Sequence, residues 1–151
     1  MRGKYDRARR CRVVDPKRLG RVLRDQLAGS GNLVLDSHVM PFLGNADMDA
    51  FCFVLRRNPL QLERILKAQG YASGKVAENL LAEIVDVCLL EALRVFPRRR
   101  VSEINLTSMR MVYAARWALR VLSGEKRPRV GIVDWIGCLE KLGKLERYVL
   151  V

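Results

Sequence analysis

Three short segments of strand length, two of them apolar runs, are separated by segments of helical period and limit what this chain can become. They are Leu33-Val34-Leu35-Asp36, residues 51–55 and residues 101–106. Each is short for a helix; the first two are continuous apolar runs of the kind that fits a strand buried on both faces, and the third reads as a strand. Between them the period changes. Asp15-Pro16 supplies a cap residue and a proline at the first helical position, Leu19, Val22, Leu23 and Leu27 form one face, and Gly29 stands beyond the end. This predicts a helix over 16–28. Asn58-Pro59 repeats the signal, with Leu62, Ile65 and Leu66 on one side and Gly70 as the stop, for a helix over 59–69. The longest periodic segment runs over 75–95 and is closed by Pro97. Thr107 or Ser108 can cap a helix reaching Leu122. After a charged linker at 124–129, Asp134 caps a tail helix carrying Trp135, Ile136, Leu139 and Leu142.

Strands alternating with helices predict an α/β domain with a parallel sheet. A length of 151 residues, 50% of them hydrophobic, suits one domain with its own core. Three strands are few for so many helices, so a neighbour for the strand at 33–36 is expected to be missing.

Lys+Arg 28 against Asp+Glu 16 gives a net charge of +12, which favours polyanions: RNA, nucleotide phosphates or an acidic partner. The cations concentrate in an N-terminal arm with Arg7, Arg9, Arg10 and Arg12, and in the knot Arg98-Arg99-Arg100. Both clusters are candidate RNA or anion contacts. No run approaches a membrane span and no signal peptide is apparent, so a cytoplasmic protein with no membrane partner is expected. Cys11, Cys52, Cys88 and Cys138 are far apart and the chain has 1 histidine, which argues against zinc. Cys52 and Cys88 lie in apolar runs and read as buried thiols.

Chemistry is expected where parallel strands end, because α/β folds bind ligands at that edge. Asp36 occupies such a position, and His38 follows two residues on. In phosphoryl-transfer proteins an aspartate there holds the water shell of magnesium, and a nearby histidine can orient or accept a proton. Spacing alone favours an ordinary turn, with Asp36 as a cap and His38 as a loop residue. Arg56-Arg57, at the end of the second run, read about equally as an anion site and as a salt-bridged pair. Residues 70–76 imitate a phosphate loop but are one residue short, with Val76 where a hydroxyl is needed. They read as a helix-to-helix turn from which Lys75 can still reach a phosphate from the side. Glu78, Glu83 and Asp86 read as helix surface.

Tyr5-Asp6, Val13-Val14-Asp15, Val34-Leu35-Asp36-Ser37-His38, Val54-Leu55-Arg56, Gly70-Tyr71 through Lys75, Glu78-Asn79, the block 83–87 and Glu91-Ala92-Leu93 occur in order. Over roughly 4–120 this pattern resembles the atypical adenylate kinases shared by archaea and eukaryotes, the coilin-interacting nuclear ATPase type. The resemblance implies a three-layer P-loop kinase sheet flanked by helices, catalysing ATP + AMP ⇌ 2 ADP, with ATPase activity and a role in small-subunit rRNA maturation beside a ribosomal protein. Carried over, Asp36 and His38 are catalytic, with Asp36 serving Mg2+ through its water shell. Tyr5, Asp6, Arg56, Gln69 and Lys75 contact nucleotide. Residues 1–14 end the AMP-binding region, 68–78 form a lid, and 124–151 are linker and tail helix. Gln69 departs from the arginine usual before Gly-Tyr. The glycine-rich loop ending in Gly-Lys-Thr, with the first, central strand and its helix, is not among these residues. The domain is therefore expected to be N-terminally incomplete and, as it stands, not to bind ATP in the family's manner. A misassigned start, a non-catalytic basic assembly factor for RNA or a ribosomal protein, and a fragment completed by another polypeptide are the alternatives.

Overall fold

The computed structural model describes residues 5–7, 11–13, 15–27, 33–37 and 50–149. The chain divides into two units, Met1–Asp49 and Ala50–Val151.

In the first unit, β1 (Tyr5–Asp6) pairs antiparallel with β2 (Cys11–Arg12), Tyr5 opposite Arg12 and Asp6 opposite Cys11. Helix α1 (Pro16–Leu27) starts where the sequence predicts, with the Arg18 amide donating to Asp15 Oδ1 at 3.2 Å. The expected strand at 33–36 is not formed. Residues 33–37 adopt no regular structure and Val34 is 99% exposed. An apolar run becomes a strand only when a neighbour accepts and donates its backbone hydrogen bonds, and among the described residues none does so here.

The second unit is a mixed α/β fold. Strand β3 (Cys52–Arg56) leads through α2 (Pro59–Ala68), α3 (Ser73–Ile84), α4 (Val87–Val95) and a 3-10 turn (Arg98–Arg100) to β4 (Val101–Asn105). The strands pair in parallel, from Cys52 opposite Val101 to Arg56 opposite Asn105. Helix α5 (Met111–Leu122), α6 (Trp135–Lys141) and α7 (Glu146–Val149) follow.

In a parallel pair, residues in register share a face. Ile104, Leu106 and Phe53 pack with Ala114, Trp117 and Ala118 of α5, while Cys52, Val54, Arg56 and Glu103 face the other way. One apolar cluster joins Leu66 of α2, Val76, Leu80 and Ile84 of α3, Leu139 of α6 and Tyr148 of α7. Its helix pair is set up locally. Asn58 Oδ1 accepts from the Leu60 amide at 2.9 Å and Pro59 fixes the first turn, a cap that contributes about 1 kcal/mol. Gly70, at φ +77, turns the chain from α2 into α3, as the helix-to-helix reading of this segment expects.

Two boundaries differ from the sequence reading. The periodic segment 75–95 is not one helix but α3 and α4, broken at Asp86, whose φ of 59 is left-handed. The Glu83 carbonyl, which a continuous helix would give to the Val87 amide, instead accepts from Arg56 Nη2 at 3.1 Å. Helix α5 starts after Arg110, not at Thr107 or Ser108. Thr107 is engaged elsewhere: its hydroxyl accepts from the Asn58 amide at 2.9 Å.

Candidate functional site

The carboxyl ends of β3 and β4 form one edge, and two turns meet there. The Leu106 amide donates to the Arg56 carbonyl at 2.7 Å, which continues the ladder past the strands. Asn105 Oδ1 accepts from the Thr107 amide at 2.9 Å and Thr107 Oγ1 accepts from Asn58. The turn after β3 and the turn after β4 are thus bonded to each other through side chains. Such cross-linking holds backbone and polar groups at the ligand edge of an α/β sheet. Arg57 lies at this edge, half-buried, its amide donating to Glu83 Oε1 at 3.2 Å and its guanidinium lying 3.5 Å from Gln61 Oε1.

Beneath the edge lies a buried ion cluster. Arg56 is 1% exposed and each guanidinium nitrogen is engaged. Nε donates to Glu83 at 3.0 Å, Nη1 to Glu103, and Nη2 to Asp86 and the Glu83 carbonyl. Burial alone would push this guanidinium down, but Glu83 and Asp86 outweigh it and hold it above its ordinary value. Glu103, wholly buried on β4, also accepts from the amides of Gly131 and Ile132. Trp135 Nε1 donates to Glu83 at 2.7 Å. Residues from α3, the break before α4 and β4 therefore converge on one arginine, and the segment before α6 joins them through Glu103.

This corrects the reading of Glu83 as helix surface: its side chain is 13% exposed and bridges Arg56, Arg57 and Trp135. Asp86 is likewise bound to Arg56. Of the two readings held open for Arg56, the salt-bridged one describes what its side chain does. Glu78 remains on the surface, near Lys75 at 3.6 Å.

The other expected site residues are dispersed. Asp36 is exposed in the irregular segment, and His38, Arg9 and Arg10 lie outside the described residues. Tyr5 and Arg7 are exposed, and Asp6 and Arg12 are placed by their β-pairing. Gln69 ends α2 in solvent, and Lys75 lies in the first turn of α3. Arg98 and Arg99 are exposed on the 3-10 turn, with Arg100 half-buried. Cys52 is buried and Cys88 half-buried. Burial, reinforced by Cys88, pushes the Cys52 thiol up to about 11, and burial followed by Glu83 and Glu91 raises Cys88. Neither thiol has the low pKa of a nucleophile.

Helix α2, which precedes the segment expected to be a lid, is tied to α7. Glu63 Oε1 accepts from Lys67 Nζ and from Arg147 Nη2, each at 2.7 Å, while Tyr148 Oη donates to Glu63 Oε2 at 2.8 Å. A cavity of about 170 Å³ lies between these groups and Ser73, Val76 and Ala77. Among the described residues there is no cluster of His, Cys, Asp and Glu able to hold a metal, and no helix long and apolar enough to cross a membrane.

Sequence reasoning missed Glu103, Asn105 and Thr107. One signal was available. Glu103 lies within a short segment that reads as a strand between helices, and a carboxylate in a buried strand requires a cation and amides to meet it.

Comparison with known proteins finds relatives along most of the chain. The protein named "Putative adenylate kinase" in Thermococcus onnurineus is 37% identical over 138 residues, covering 91% of this chain and 71% of the relative. Proteins of the same name in Methanococcus maripaludis and Methanocaldococcus jannaschii are 34% and 32% identical, each over 82% of this chain and 65% and 64% of their own length. The chain thus spans roughly two thirds of these relatives and 55% of those from Thermococcus gammatolerans and Thermococcus kodakarensis. No protein-family model matches it.

Proposed function

Because the chain belongs to the adenylate kinase family of these archaeal proteins, we propose that it derives from an enzyme transferring a phosphoryl group between ATP and AMP, with nucleotide meeting the carboxyl edge of β3 and β4. The observation carrying this reading is the bond from the Asn58 amide to Thr107, which locks two turns together at the edge where nucleotides meet parallel sheets. Helices on both faces of the sheet agree with a P-loop kinase layout, in which a further, central strand would lie beside β3.

In this reading Asp36 and His38 serve the transferring phosphoryl group, and Tyr5, Asp6, Gln69 and Lys75 border the nucleotides. Arg57 replaces Arg56 as the edge cation, because the Arg56 guanidinium is occupied by carboxylates. Mg2+ supplies neutralisation of phosphate charge when bound, and one exposed carboxylate, Asp36, fits contact through its water shell. The triphosphate fits less well: these 151 residues contain no G-x-x-x-x-G-K-[ST] loop to cradle it. We therefore propose that the chain as it stands is inactive. The test is titration calorimetry with ATP and AMP on this chain and on one extended by the in-frame sequence upstream of Met1. Binding only by the extended chain supports the proposal. A stop codon close to Met1, or absence of nucleotide binding by both, overturns the kinase reading.

A second reading is favoured by the net charge of +12 and by the exposed Arg7, Arg98 and Arg99. Here the chain is a cytoplasmic assembly factor that contacts small-subunit rRNA or a ribosomal protein without catalysis. Its signature is RNA affinity that falls steeply with salt while ATP binding is undetectable. Salt-insensitive or absent RNA binding counts against it.

A further inference from the structure

Residues 107–132 carry Arg110, Arg116, Arg120, Lys126, Arg127 and Arg129 against a single acid, Glu125. Neither the kinase reading nor the two arginine clusters uses them. At about 100° per residue, Tyr113, Arg116 and Arg120 fall on one strip of α5, clear of Ala114, Ala118 and Val121 on its inner side. Tyr113 is 47% exposed. The Arg110 guanidinium lies 5.0 Å from its ring centroid and donates to its hydroxyl at 3.0 Å, and the Arg116 guanidinium lies 5.9 Å from the same ring. One turn on, Arg129 stacks over Trp117 at 3.9 Å.

An ordinary solvated helix face mixes acids with bases. Helix α5 contains no acid, and among the described residues Arg110, Arg116 and Arg129 form no salt bridge. Arg120 differs, because Glu125 pairs with it at 2.5 Å. A guanidinium held against a ring is pre-positioned, and the N–H groups that Arg110 does not give to Tyr113, with those of Arg116, can meet phosphate. An exposed ring beside such cations matches a base that stacks and a backbone that is neutralised. An acidic polypeptide would use the charges but has no use for the ring.

We propose that the strip formed by Arg110, Tyr113 and Arg116, with Arg129 stacked on Trp117 beside it, binds single-stranded RNA. The proposal rests on the RNA-associated reading above and gives it a surface distinct from the turn Arg98–Arg100. The test is fluorescence anisotropy with labelled oligo-U and oligo-A RNA, from about 50 to about 200 mM KCl. Arg110→Gln with Arg116→Gln should weaken binding at least ten-fold and reduce the salt slope by roughly 1.4, the value for two phosphate contacts to a single strand. Tyr113→Ala should weaken it roughly ten-fold through lost stacking while Tyr113→Phe stays near wild type. All these positions are exposed, and an unchanged melting temperature is the control for folding. If the chain binds RNA but only Arg98→Gln with Arg99→Gln weakens it, the surface is wrong and the RNA reading stands. If the wild type binds no RNA at low salt, both fail. If polyglutamate displaces the RNA at equal charge and Tyr113→Ala has no effect, the face takes acidic polypeptides and the proposal is overturned.

Discussion

The Arg56 guanidinium on β3 donates to the Glu103 carboxylate on β4, and neither side chain has appreciable contact with solvent. The pair is the centre of a cluster with one cation and three carboxylates, so removing the cation leaves buried negative charge unpaired. Breaking such a pair from one side costs about 3–5 kcal/mol, more than the intact pair itself contributes. Arg56→Ala is therefore expected to lower the unfolding free energy by that amount, measured by urea titration. Arg56→Lys should also be costly, because a single ammonium cannot serve Glu83, Asp86 and Glu103 in the directions of a planar fork. A loss below about 1 kcal/mol for Arg56→Ala would contradict the role assigned to the cluster.

Asp86 combines a left-handed backbone with a carboxylate bound to Arg56. The two contributions separate by substitution. Asp86→Gly removes the carboxylate but suits the positive φ, whereas Asp86→Val removes the carboxylate and strains the backbone. The valine variant is expected to be less stable than the glycine variant by about 1–2 kcal/mol in thermal or urea unfolding. Equal stabilities would mean that α3 and α4 do not require this conformation.

Glu63 and Tyr148 give the tail helix α7 a pH dependence of known sign. The Lys67 ammonium, together with Tyr148 and Arg147, holds the Glu63 carboxyl below its ordinary range despite partial burial. Burial and the bond to Glu63 raise the Tyr148 phenol. A depressed carboxylate contributes stability above its unfolded pKa of about 4.3, lost as pH falls through the folded value. A raised phenol contributes stability below its unfolded pKa of about 10, lost as pH rises through the folded value. The stabilisation is therefore present at neutral pH and fades at both ends. Glu63→Gln should flatten the acid limb of a melting-temperature profile, and Tyr148→Phe the alkaline limb. Limbs parallel to wild type would refute this anchoring.

Local signals carried much of the second unit. Asn58-Pro59, Gly70, Pro97 and Asp134 punctuate the chain where the sequence predicts, because caps, prolines and positive φ are short-range chemistry. The runs at 51–55 and 101–106 became a parallel pair because each found the other. Residues 33–35 are as apolar as 51–55 and formed no strand, since a strand needs a neighbour that the run itself does not encode. The break at Asp86 and the burial of Glu83 were illegible for a related reason. Both depend on Arg56, which is 27 residues from Glu83 along the chain, and periodicity reports only contacts within a few turns. For the candidate site, Asp36 is proposed from the family pattern, since no strand forms at 33–36, whereas Thr107 and Asn105 declared themselves only once the two turns met.

Asp36 offers the sharpest separation of function from stability. Its side chain is exposed in a segment outside any strand, so its charge supports little of the fold. Asp36→Asn should change the unfolding free energy by no more than about 0.5 kcal/mol, as for an exposed substitution away from caps and ion clusters. In a chain extended upstream to include a phosphate loop, the same change removes the carboxylate proposed to hold the magnesium water shell. Turnover of ATP with AMP, followed by coupled ADP detection, should then fall at least ten-fold while the melting temperature stays put, and His38→Ala should behave alike. Parallel losses of melting temperature and turnover would show that Asp36 acts through the fold and not on the phosphates.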